Sequence, residues 1–172
     1  MATIMNPDWL PTLKCSLKVW AARVRSRVQA GGHHYYEQRF YGLAQMLDMV
    51  CQRAERGENL TIQAPVGFGI TTGLEELAAL YRETGQSEIG VASINAIGEL
   101  HPIDGGDING LTTIIVDNAQ GEFGLGITTQ EMIVTRAWLA AFWLNNGAVI
   151  RIYPDTVKPP PRLKGHQLTM YQ

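Results

Sequence analysis

From Asn59 onward the chain repeats one local grammar: a short apolar run, a turn rich in glycine, then an amphipathic stretch of helix length. Leu60–Ala64 and residues 88–97, 112–117 (TTIIVD) and 148–153 read as strands. The first intervening helix carries Leu74, Leu77, Ala78 and Tyr81, opens on a Thr72/Glu75 capping pair and closes at Gly85. The second runs over residues 128–146, opened by Thr128 with Glu131 and ended by Gly147. Strands alternating with helices predict an α/β fold: a parallel sheet with helices on both faces. Residues 98–110 (GELHPIDGGDING) read as a loop.

Two helices precede this region. Leu13, Leu17, Trp20, Val24 and Val28 recur at spacings of three and four. Lys14, Lys18, Arg23, Arg25 and Arg27 fill the other faces, and Gly31-Gly32 ends the helix. A second helix over residues 35–56 carries the stripe Tyr36, Phe40, Leu43, Leu47, Val50, Cys51 and Ala54, with Gly57 as its stop. The chain thus divides into a helical extension packed on the core (1–58), an α/β core (59–153) and a basic tail with three consecutive prolines (154–172), expected to be extended and largely solvated.

At 172 residues, 45% apolar and 17% charged, one globular domain is expected. No apolar run reaches the length of a membrane span, and no export signal opens the sequence. With Cys15 and Cys51 far apart, this predicts reduced thiols in a cytoplasmic protein. The net charge of −2 conceals a division: residues 1–56 carry +4, residues 57–149 carry −9 and residues 150–172 carry +3. Basic ends around an acidic middle suggest contacts with an anionic partner, nucleic acid included, or with the acidic middle of a neighbouring copy. The helix over 129–146 is apolar nearly all round, so it is either central or covered by another subunit.

Chemistry is concentrated at TIQAPVGFGITT, residues 61–72. A phosphate-gripping loop has the pattern G-x-x-x-x-G-K-[ST] between a strand and a helix. Here Ala64 takes the first glycine's place, Gly69 the second, Ile70 the lysine's and Thr71 the hydroxyl's. Val66, Gly67, Phe68, Gly69, Ile70, Thr71 and Thr72 would form the degenerate cradle, with a helix N-terminus behind it. Asp117, ending the most apolar strand, supplies an acid about 45 residues downstream; with Thr71 it would hold Mg²⁺ if nucleotide binds.

These features resemble the AAA+ branch of P-loop proteins over residues 35–155. The segment RFYGLAQMLDMVCQRAERGENLTIQAPVGFGITT is similar to the entry of its transposition-helper and helicase-loader members. The resemblance implies a P-loop-like core; the reading requires the turn ahead of Thr71 to wrap into an anion cradle, side by side in the sheet with the Asp117 strand. It also implies ATP or ADP with Mg²⁺ as the ligand. The departures are specific: Ile70 stands for the lysine, and Asn118 for the glutamate that polarises water. No arginine finger or helical lid is visible. Losing the lysine removes transition-state charge stabilisation, and losing the glutamate removes the base. Hydrolysis is therefore not expected, and nucleotide binding is either lost or weakly retained.

Three readings remain open. The first is a non-hydrolysing adaptor that engages a protein or DNA partner through its basic ends. The second is a weak ATPase completed by a partner, of the helicase-loader or transposition-helper kind. The third is a small phage or mobile-element structural protein with no nucleotide role.

Other groups carry less. His33-His34 lack further ligands at metal spacing. Asp104 and Asp107 lack the terminal glutamate of a calcium loop. Gly67–Thr72 (GFGITT) and Gly124–Thr129 (GLGITT) agree at five of six positions, either by convergence on helix-entry chemistry or by duplication.

Overall fold

The computed structural model describes residues 20–24, 26–27, 37–64, 69–103, 105–106, 108–124, 126–159 and 166–169. Among the described residues, the helices α1 (Glu37–Glu55), α2 (Ile70–Glu83) and α3 (Gln130–Leu144) and the helical residues 20–24 accompany six strands. These are β1 (Leu60–Ala64), β2 (Ile89–Ile94), β3 (Leu100–Pro102), β4 (Thr113–Asp117), β5 (Ala148–Pro154) and β6 (His166–Thr169). They form one sheet in the order β3-β2-β4-β5-β1-β6. All neighbours are parallel except β3, which runs antiparallel to β2.

The parallel strands are apolar on both faces because helices cover both. On one face Leu60, Ile62, Val91, Ile115, Ile150 and Ile152 pack with α1, α2 and the helical residues 20–24. On the other, Ile94, Ile114, Val116, Val149 and Tyr153 pack with Leu139 of α3. The alternation follows the period of two in each strand. The expected stripe of α1 is buried at Leu43, Leu47, Val50, Cys51 and Ala54, and Gly57 follows at φ +66°. Tyr36 and the Phe40 side chain lie outside the described residues.

Trp20 and Val24 of the N-terminal stripe are fully buried. The Trp20 indole N–H donates to the Gly73 carbonyl of α2 at 2.8 Å. Gly73 is what admits this contact: a Cβ there would stand 2.9 Å from Leu47 Cδ1 and 3.2 Å from the Trp20 ring. Trp20, Ala21 and Val24 therefore share one core with α1, α2 and the sheet.

Several expectations are corrected. The strand before the glycine loop does not lie beside the Asp117 strand, because β5 is inserted between β1 and β4. The segment 98–110 is not wholly a loop: Leu100–Pro102 returns antiparallel along β2. The tail is not simply solvated, since residues 166–169 extend the sheet beside β1. Helix α2 opens at Gly69 in the left-handed conformation, with no side-chain cap. Thr72 is thus inside the helix, and Glu75 bonds Arg27 instead of closing a capping box. In α3 the cap is Thr129, one residue later than expected, with its hydroxyl accepting from the Met132 N–H at 3.1 Å. Asn146 at φ 68°, rather than Gly147, makes the left-handed turn beyond that helix.

Nor is α3 central. Only Met132, Thr135 and Leu139 are buried in it. It is fastened to the β2–β3 turn by Thr129, whose hydroxyl donates to the Ile97 carbonyl, and by Thr135, whose hydroxyl donates to Gly98 at 2.6 Å. Among the described residues no helix is long and apolar enough to cross a membrane.

Candidate functional site at the carboxyl edge of the sheet

Because β1, β2, β4 and β5 are parallel, Ala64, Ile94, Asp117 and Pro154 end at the same edge of the sheet. Beyond these ends, Ile70 at the start of α2 packs on one face of the sheet and Ala119 after β4 packs on the other. In open α/β sheets ligands usually bind at this edge, outside the carboxyl ends of the strands.

Asp117 and Thr71 meet there. Asp117 lies two residues after Ile115 and therefore on the α2 side of β4. It is only 5% exposed. Its Oδ2 accepts from the Thr71 hydroxyl at 3.1 Å, and its Oδ1 accepts from the Asn118 N–H at 2.9 Å. Thr71 lies in the first turn of α2, so the contact brings the end of β4 to the start of α2 across the intervening β5. Burial raises the Asp117 carboxyl above its usual value; the Asn118 N–H and the Thr71 hydroxyl pull against that rise.

The first turn of α2 contains no acidic residue. Its positive dipole end therefore has no carboxylate of its own to offset it, apart from Asp117 reaching in through Thr71. Ile70, at the lysine's position, is half-buried and packs against the apolar cluster of the α2 face. It adds packing where a cation would add charge. Asn118, at the glutamate's position, takes φ 52° and ψ 44° and donates from its side chain to Ser93 Oγ at 3.3 Å. Ser93 stands opposite Asp117 in the β2–β4 register. It is a polar neighbour of the site that the sequence did not single out.

Of the seven expected cradle residues, Gly69, Ile70, Thr71 and Thr72 are described, and Val66, Gly67 and Phe68 lie outside the described residues. Two hard oxygen ligands, one hydroxyl and one carboxylate, match what Mg²⁺ takes from a protein when phosphates and water complete its octahedron. Among the described residues no group of three His, Cys, Asp or Glu side chains could hold a metal. His33, His34, Asp104 and Asp107 lie outside the described residues.

Two arginines of the basic helix form ion pairs within the molecule. Arg23 forms a two-pronged bond to Glu83 at 3.0 and 2.7 Å. Arg27 bonds Glu75 at 3.0 Å and Glu76 at 3.3 Å. These two of the five candidate contact residues thus pair with acidic side chains of α2. Lys14, Lys18 and Arg25 lie outside the described residues. The charge asymmetry between the N-terminal region and the middle is answered, at these residues, within the molecule.

A second polar pair was not legible in the sequence. Glu122, in a short 3-10 turn (Ala119–Glu122) after β4, bonds Arg151 of β5 at 3.1 Å, with both side chains largely buried. The Glu122 carbonyl accepts from Arg136 Nε at 2.7 Å, and the Arg136 guanidinium sits over the Phe123 ring. These contacts fix the segment following Asp117 and so hold the acid's backbone in place.

The two glycine–threonine echoes fold differently. Gly69 precedes Ile70, Thr71 and Thr72 inside a helix, whereas Gly126 precedes Ile127, Thr128 and Thr129 outside one. Over these residues the backbone does not repeat: α2 opens without a side-chain cap and α3 with one.

Comparison with protein-family models, curated proteins and solved structures finds no match to this chain.

Proposed function

We propose that this chain is a non-hydrolysing, P-loop-like adaptor whose nucleotide site keeps its metal-side oxygens and lacks its catalytic groups. The observation that carries the reading is the 3.1 Å bond from Thr71 to Asp117, joining the start of α2 to the end of β4. A hydroxyl and an acid separated by 46 positions converge at the carboxyl edge of a parallel sheet, at a helix start that no side chain caps. That supports a site derived from Mg-phosphate binding.

Two features support the absence of turnover. Ile70 offers no mobile cation for the β- and γ-phosphates, and Asn118 offers no base for water. Either loss removes transition-state stabilisation of several kcal/mol, roughly a thousandfold in rate. Retained binding would be weak and dependent on the N–H groups of the loop and of the α2 start. The adaptor's partner is a protein or a neighbouring copy; the ion pairs of Arg23 and Arg27 weigh against nucleic acid as the main contact.

Calorimetric titration of ATP and of ADP, each with and without Mg²⁺, tests this alongside a phosphate-release assay. Weak binding strengthened by Mg²⁺, with no phosphate release above background, is the expected result. Sustained hydrolysis would contradict it. Titrations flat to millimolar ligand would leave Thr71 and Asp117 as a structural fastening of α2 to β4.

A further inference from the structure

The first turn of α2 is weakly specified by its own residues. It opens on Gly69 at φ 76° with no side-chain cap. The Gly73 N–H donates to the Gly69 carbonyl at 2.9 Å, so both partners of that hydrogen bond are glycines. Glycine loses more conformational freedom in a helix than any other residue, and an uncapped start leaves N–H groups without partners. Thr71, whose hydroxyl meets Asp117, stands between the two glycines.

A buried contact from outside the helix reaches this turn. Trp20 is fully buried, and its indole N–H donates to the Gly73 carbonyl at 2.8 Å. Breaking this bond would strand a buried donor, which makes it costly to lose. Arg23 and Arg27 lay the same segment along α2 through ion pairs with Glu83, Glu75 and Glu76. Pairs as exposed as these contribute little singly. The indole is the firmer anchor.

We infer that Trp20 is a positioning residue for the Thr71–Asp117 pair: by gripping Gly73 it fixes the turn of α2 that places the Thr71 hydroxyl. This much rests on the contacts alone. Its consequence rests on the phosphate-site reading: docking of the N-terminal segment and binding of a Mg-diphosphate strengthen one another by the same factor. A partner that drew the segment away would loosen the site.

Replacing Trp20 by benzothienylalanine tests the inference, because sulfur takes the place of the N–H while the ring keeps its shape and the core stays filled. Hydrogen exchange and the Asp117 carboxyl titration, both read by NMR, are compared with wild type. Exchange at the Gly73 N–H should rise roughly three- to tenfold, the worth of one net hydrogen bond, and exchange at Ile115 in β4 should rise less. The Thr71 hydroxyl pulls the Asp117 pKa down, so loosening it should move the titration to higher pH, as Thr71→Val does outright. An unmoved Asp117 titration, or equal increases in exchange at Gly73 and Ile115, would overturn the inference and leave Trp20 as a filler of the core. Mg-ADP titration separates the consequence from the reading beneath it. Affinity about threefold weaker in the isostere is expected, and equal affinity would overturn the coupling. A wild type that binds no Mg-ADP would sink the phosphate-site reading, with exchange and carboxyl titration still deciding the role of Trp20.

Discussion

Asp117 is an acid held where its charge is disfavoured, and its titration follows from that. Burial sets its folded pKa above the unfolded value, so between those two values the folded chain binds more protons than the unfolded one. Stability contributed by this group therefore falls as pH rises from near 4 through the folded pKa and stays lower above it. Asp117→Asn keeps an acceptor for the Asn118 N–H and a polar partner for Thr71, and it removes the ionisation. Urea midpoints between pH 4 and pH 8 should show the variant gaining on the wild type with rising pH, then levelling off. A difference constant across that range would mean the carboxyl is not under the stated strain. The position of Asp117 was readable, because an acid ending an apolar strand stands out. Its partner in β2 was not: Ser93 becomes part of the site only through the β2–β4 register.

At the scale of elements, the sequence marked where helices lie better than where they begin. A threonine followed three residues later by glutamate occurs at Thr72 and at Thr128, and both read as capping boxes. Neither is used. Helix α2 starts earlier because Gly69 adopts a left-handed turn, and Glu75 is drawn to Arg27. Helix α3 starts later because Thr129 both caps Met132 and donates to Ile97. Thr129→Ala should accordingly cost about 1 kcal/mol or somewhat more. Thr128→Ala should change stability by less than about 0.5 kcal/mol, as exposed substitutions away from such features do. Chemical denaturation of the two variants side by side checks this; equal losses would contradict the cap assignment. The outward face of α3 was invisible in the sequence for a related reason: a helix apolar nearly all round has no pattern that says which side is covered.

Across the whole molecule, the alternation of strands and helices announced an α/β sheet, and such a sheet is present. Strand order was not announced, because nothing in a strand's composition names its neighbour. β5 was read as a further strand, yet it lies between β1 and β4 and displaces the expected side-by-side pairing. Thr71 and Asp117 meet in spite of this because α2 leans from β1 across β5, so the contact depends on the tertiary path rather than on adjacency. Packing accounts for the residue at the lysine position too. Ile70 stabilises the α2 face, and a lysine there would surrender part of that packing while keeping its stem against it. The central claim is that this edge of the sheet is a phosphate site lacking its cation, and thermal melting of Ile70→Lys with and without Mg-ADP tests it most directly. The variant should melt below the wild type without ligand and gain stability with it. At 100 times the dissociation constant the gain is about 2.7 kcal/mol, or roughly 5–10 °C for a chain of this size; adding Asp117→Asn should abolish most of the shift. A folded Ile70→Lys protein whose melting temperature is unmoved by millimolar Mg-ADP would contradict the claim.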